Sequence, residues 1–368
     1  MTLDNAVRSM LAVIGLMCAA SPAMAASGQS VPDLMQLPAR ADARAANSVQ
    51  LAVTRAGERL VSVGERGVVL LSDDGGASWR QARSVPSSVA LADVHFVDDR
   101  LGWAVGHSGI VLHSRDGGES WERQLDGRQA AQAVLGEARA LVASGATGAE
   151  RLLVDAQILV DDGPDKPLLS VYFMDARHGW AMGSYGLALA TKDGGQTWQA
   201  VMGRLPNPRG KHLYQVRGER SRLLVAGEQG ALFRSEDGGR TFAEVDTPYP
   251  GTFFGALALD QDTILAYGLR GNVWRSADAG ASWTQIPIDQ EITITSGTQL
   301  GDGAIVLADE SGRLLRSDDQ GHRFRALEAK APSAVTALVQ VEDGALVLSG
   351  ARGPSRVDAA QLLDTDRR

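Results

Sequence analysis

The sequence predicts an all-β fold, a seven-bladed β-propeller built from four-stranded blades with a helical insertion after blade 2. Three observations carry that prediction: a short turn motif that occurs six times, a glycine turn that precedes each copy at a fixed interval, and a period near 41 residues. Four short strand-like runs per unit at that period are the signature of propeller blades.

The motif is Ser/Thr-x-Asp-x-Gly-x-x-Trp/Phe. It reads SDDGGASW (72–79), SRDGGESW (114–121), TKDGGQTW (191–198), SEDGGRTF (235–242), SADAGASW (276–283) and SDDQGHRF (317–324). As a hairpin between the third and fourth strands it is self-consistent: the Asp carboxylate and the Ser/Thr hydroxyl accept turn N–H groups, and glycine supplies positive φ. The aromatic then packs where one blade meets the next.

The preceding turn reads GERG (64–67), GHSG (106–109), GSYG (183–186), GEQG (227–230), GLRG (268–271) and DESG (309–312), with a seventh copy, GARG, at 350–353. Its last glycines are spaced by 42, 77, 44, 41, 41 and 41 residues, so only the 77 needs explanation, as one period of 42 plus an insertion of 35. Within a unit, LADVHFVD, LGWAVG, GIVLHS and SWERQL (91–125) illustrate the four runs. The seventh unit has three runs and no clear fourth; VPDLMQLP (31–38) is the expected donor of the missing strand, closing the ring and removing its free edges.

The insertion, about 127–160, differs from its surroundings. Ala131, Val134, Leu135, Ala138, Leu141 and Val142 recur at three and four, which predicts an amphipathic helix, and 149–160 forms a second helix or a strand. At the other end, residues 1–25 read as a signal peptide: Arg8, an apolar run at 10–20 and an Ala23-Met24-Ala25 cleavage site give an expected mature start at Ala26, with the propeller occupying 26–368. The single cysteine, Cys18, falls in that leader, which leaves the mature chain without thiol, disulfide or cysteine metal site.

The balance of 44 acidic against 36 basic side chains argues against nucleic acid as a partner. The six histidines show no H-x-x-x-H spacing, and neither a phosphate loop nor a nucleophile elbow is present, so no catalytic residue, metal or cofactor is expected.

The motif is the Asp-box, or BNR repeat. With DVHFVDDRLGWAVGHSGIVLHSRDGGESW (93–121) and SVYFMDARHGWAMGSYGLALATKDGGQTW (170–198), the chain resembles the photosystem II stability/assembly-factor family of seven-bladed propellers. The resemblance implies a non-enzymatic scaffold in the periplasm, or in the thylakoid lumen of a phototroph, that aids assembly of a membrane protein complex by holding a subunit or its precursor. Asp-boxes also occur in sialidases and other glycoside hydrolases, so a glycan-binding or glycan-cleaving propeller is the alternative. A periplasmic accessory of an envelope transport system is the third. The sialidase F/Y-R-I-P signature is absent and only five tyrosines are present.

Propeller geometry gathers the glycine turns and the blade-to-blade connections on one face. The expected partner-binding residues there are Arg66, His107, Tyr185, Arg270 and Arg352 from the turns, and Arg204, Arg209, Lys211 and Tyr249 from the connections. Guanidinium forks pair bidentately with oxyanions, which suits an acidic peptide or lipid headgroups on an otherwise acidic, monomeric protein, with peripheral membrane contact left open.

Overall fold

The computed structural model describes residues 33–363. The leader expected at 1–25 therefore lies outside the described residues. Seven antiparallel sheets follow one another along the chain, six of four strands and the last of three. They form blades 1 to 7 at 50–81, 91–125, 168–200, 213–244, 253–286, 294–330 and 335–357. The first strand of each blade contacts the first strand of the next, and blade 7 returns to blade 1, so these inner strands line a central channel. Between the sheets lie the hydrophobic clusters, each drawing on adjacent blades; Trp121, Trp198 and Phe242 of the Asp-boxes are buried in them.

The repeat works as the sequence implies. In blade 1 the Asp74 carboxylate accepts the Ser78 N–H at 2.9 Å and the Ser72 hydroxyl at 2.8 Å, while the Ser72 oxygen accepts the Gly76 N–H at 2.9 Å. The hydroxyl and amide of Ser78 hold the Asp74 carboxyl down at about 2. The last glycine of each turn is required twice over: Gly67 has φ 70°, and a Cβ there would run into the Ser87 carbonyl on the connection to blade 2.

Closure differs from the expectation. Asp33–Pro38, the described part of the proposed fourth strand for blade 7, forms a turn on blades 1 and 2: Met35 is buried, its carbonyl accepts from Arg123 at 3.0 Å, and Ser88 N–H donates to the Leu34 carbonyl at 2.9 Å. What the N-terminal region supplies is the missing connection. Gly353 abuts the carbonyl of Ala46, as Gly67 abuts Ser87, so the short turn Ala45–Asn47 stands where a blade-7 linker would run into blade 1.

Each inner strand turns an amide edge toward the channel, and the third residue of one blade's strand caps an amide of the next. Val171 N–H donates to Asp93 Oδ2 at 3.0 Å, Val216 N–H to Ser170 Oγ at 3.1 Å and Ala256 N–H to Gln215 Oε1 at 2.9 Å. At the next step Gly255 has no side chain, and the Tyr267 hydroxyl from the second strand accepts from Gly297 N–H instead.

The insertion is a helical hairpin, α1 (Gly127–Ala143) and α2 (Ala149–Asp162), which resolves the second segment as helix. Asp126 and Gln129 form a capping box at the start of α1. Val134, Leu135 and Ala138 of α1 join the core cluster of blades 2 and 3. Among the described residues no helix is long and apolar enough to cross a membrane.

Candidate functional site

In every blade the register sets the beginning of the inner strand beside the glycine turn, as in Gln50 opposite Gly64 and Leu213 opposite Gly227. The turns therefore share one end of the ring. In five consecutive blades the residue before the last glycine holds a left-handed backbone: Arg66, Ser108, Tyr185, Gln229 and Arg270, with φ between 53° and 58°. Non-glycine residues rarely pay that strain, and here it projects the side chains outward.

Arg66, His107, Arg270 and Arg352 are exposed on this face, as is Arg209 in the connection between blades 3 and 4. Tyr185 is 60% exposed, with the Lys166 ammonium 5.1 Å from its ring centroid. Tyr249 is half-buried, and its hydroxyl donates to the Leu269 carbonyl at 3.1 Å, which places it beside the blade-5 turn and Arg270. Arg204 is half-buried against α1, where Glu137 faces it; burial raises the Glu137 carboxyl and the Arg204 charge opposes that rise. Lys211 departs from the expectation of a surface cation. It is 7% exposed, donates to the Gln229 carbonyl at 3.3 Å and pairs with Glu244 at 3.5 Å, so its role is to pin the connection to blade 4.

Sequence reasoning named Tyr185 on this face but missed the row of rings that it heads. Tyr185, His212, Tyr214 and Phe254 follow one another at centroid separations of 4.9, 6.3 and 5.2 Å across blades 3, 4 and 5. Tyr214 and Phe254 sit where the register slips in their inner strands, between Leu213 and Gln215 and between Phe253 and Gly255. A bulge re-aims one side chain of a strand, which is why Phe253 is core while Phe254 is half-exposed.

The channel holds a cavity of about 340 Å³ whose lining reaches Glu219 and Arg222, at the end opposite the glycine turns. In it Arg217 donates to Asp93 through Nη1 at 3.0 Å and Nη2 at 3.2 Å, a charged clasp that crosses the inner strand of blade 3. Burial, with the Arg217 charge adding to it, pulls His95 beside this pair down to about 4. On the Asp-box face the motif carboxylates are saturated by their own turns; Asp237 and Asp278, like Asp74, lie at about 2. That is the signature of a structural turn rather than of a general acid, whose pKa sits near the working pH.

A closed ring of seven sheets, six of them four-stranded, defines a seven-bladed β-propeller. The chain belongs to the family described as photosynthesis system II assembly factor YCF48, which matches residues 43–156 and 155–355. The photosystem II assembly lipoprotein Ycf48 of Synechococcus sp. (strain CC9902) is 32% identical over 97 residues, covering 26% of this chain and 29% of that protein. The chain thus matches less than a third of that relative's length. A solved structure of YCF48 bound to D1 peptide is 19% identical over 52% of this chain and 62% of that one, at a TM-score of 0.44. The GH74 xyloglucanase of Xanthomonas campestris is 14% identical at a TM-score of 0.62, over 89% of this chain and 54% of that one, a likeness of fold.

Proposed function

We propose that this protein is an exported, non-enzymatic scaffold that aids assembly or stability of a membrane protein complex by holding a subunit or its precursor against the glycine-turn face. One observation carries the reading: five neighbouring blades accept left-handed strain to project Arg66, Ser108, Tyr185, Gln229 and Arg270 from one rim. Arg352, Arg209, His107, Arg204 and Tyr249 extend that rim, and membership in an assembly-factor family supports the same use. The leader at 1–25 supports a periplasmic location, or the thylakoid lumen in a phototroph. The test is photo-crosslinking in cells from probes at Tyr185 and Arg270, with a probe at Ala77 on the Asp-box face as control. Capture of a membrane subunit from the rim alone is the expected result; equal capture from Ala77 sinks the reading.

The row Tyr185–His212–Tyr214–Phe254 favours a second reading, a glycan-binding face, because half-exposed rings stack on sugars. Binding on a glycan array that is lost in Tyr185→Ala would favour it over the scaffold.

A further inference from the structure

The helical hairpin carries a surface that the ring does not use. In α2 the inward positions Ala149, Leu152, Leu153, Ala156, Leu159 and Val160 are buried or half-buried against α1 and the blades. The outward face is Glu150, Arg151, Val154, Asp155, Gln157, Ile158, Asp161 and Asp162. Its centre is apolar: Val154 is 59% and Ile158 51% exposed, stacked one turn apart. Among the described residues none covers them. A solvent-facing helix position favours Ala, Glu, Lys or Arg, and β-branched residues are poorer helix formers there.

Charge selects the occupant. Four carboxylates and one guanidinium share this face; Arg151 pairs with Asp155 at 3.8 Å and Lys166 with Asp162 at 3.0 Å, which leaves a net negative face with Glu150 and Asp161 outside any ion pair among the described residues. A second copy of α2 would bring like charges together, and an anionic bilayer would be repelled in the same way. A basic amphipathic helix would bury Val154 and Ile158 at its centre while its cations met Glu150, Asp155 and Asp161. We infer that the outward face of α2 docks a basic amphipathic helical segment of a partner protein, beside the turn face but separate from it. The connection to the turn face is physical, since α1 contacts the blade-2 turn at His107–Gly109. Substitutions confined to the rim leave this surface intact, so its fate and that of the scaffold reading are read separately.

The experiment uses a short leucine–lysine peptide patterned as an amphipathic helix, and its leucine–glutamate counterpart, in fluorescence anisotropy against residues 26–368. The wild type is expected to bind the lysine peptide and not the glutamate one. Val154→Ser with Ile158→Ser, at exposed positions and with every charge kept, should weaken binding at least about tenfold at unchanged Tm. Asp155→Arg with Asp161→Arg should transfer the preference to the glutamate peptide. Equal affinity of wild type and the Val154/Ile158 variant overturns the inference, as does wild-type dimerisation that this variant abolishes. Partition onto phosphatidylcholine vesicles lost in the same variant would assign the face to a membrane instead.

Discussion

Blades 2 to 6 and the seam between blades 7 and 1 meet the same demand by different means. Both must satisfy the amide edges that inner strands turn toward the channel. Along the arc, Asp93, Ser170, Gln215 and Tyr267 each cap an amide of the following blade, and Arg217 clasps Asp93 across blade 3. At the seam the matching third position is Ala337, and one step on, in blade 1, it is Ala52; neither methyl side chain can cap an amide. The bonds there lie elsewhere: Thr336 Oγ1 donates to the Gln50 carbonyl at 2.8 Å, Arg55 pairs with Glu342 at 2.8 Å, and Arg356 Nη1 donates to the Gly75 carbonyl at 2.6 Å. A chain that runs from blade to blade can concentrate polar contacts at the channel. At the seam the polar contacts lie away from that ladder; the Thr336 and Arg356 bonds have counterparts elsewhere in the ring, in Thr295 Oγ1 to the Val335 carbonyl at 2.7 Å and Arg275 Nε to the Gln320 carbonyl at 2.9 Å, and water and salt weaken the exposed pair of Arg55 with Glu342.

The largest expected effect is therefore in the arc. Asp93→Ala removes a carboxylate that serves Ser170, the Val171 amide and Arg217 together, leaving a guanidinium in the channel without its counter-charge. It should cost about 3 kcal/mol in urea unfolding. A loss no greater than that of a seam variant would break the comparison.

Acid should separate the two regions next. His95 and His113, both in blade 2, are pulled from 6.5 down to about 4, in each case mainly by burial, with Arg217 and Arg115 respectively adding to it. The folded state then binds fewer protons than the unfolded state between those values, so their contribution is lost as pH falls from 6.5 toward 4. No histidine lies in 335–357 or 50–81. Hydrogen exchange at pH 5 should thus accelerate first in 91–125, not at the seam. His113 also leaves both ring nitrogens without a partner while stacked on Trp103 at 4.7 Å. His113→Phe should flatten the acid limb and add roughly 1 kcal/mol at pH 7.

At the seam, Thr336→Val and Arg356→Ala should each cost about 1 kcal/mol, as single hydrogen-bonded groups at partly buried sites do. The Arg356 loss should shrink in high salt, where its pairs with Asp343 and Asp358 are screened, whereas the Thr336 loss should not.

What the sequence makes legible follows from repetition. Gly67 and its counterparts recur because one backbone conformation and one close contact recur, and the box Asp because its turn has the same amides to satisfy. The channel ladder uses Asp93, Ser170, Gln215 and Tyr267 for one task, so no pattern announces it. Lys211 reads as a surface cation because its partners, the Gln229 carbonyl and Glu244, lie in the next blade. Tyr214 escapes because its exposure comes from a bulge, and strand alternation alone does not mark one. Propeller closure suggested a fourth strand from 31–38, but a linker could close the ring equally well, and Ala45–Asn47 does so.

The smallest expected effect lies within the boxes themselves. Their fourth position is left-handed in every blade where it is Gly75, Gly117, Gly194 or Gly238, and remains so where it is Ala279, at φ 58°, or Gln320, at φ 59°. A non-glycine residue in that region costs about 1–2 kcal/mol, and glycine gives back roughly 0.5–1 kcal/mol through the freedom it restores to the unfolded chain. Ala279→Gly should thus stabilise by roughly 0.5 kcal/mol. Gly238→Ala should destabilise by a similar amount, because a Cβ there meets only Met174 Cε at 3.7 Å and adds no clash. Opposite signs in paired thermal melts would show that the two boxes differ in backbone strain alone. The same sign for both would mean that packing around the blade-5 box has adapted to its alanine.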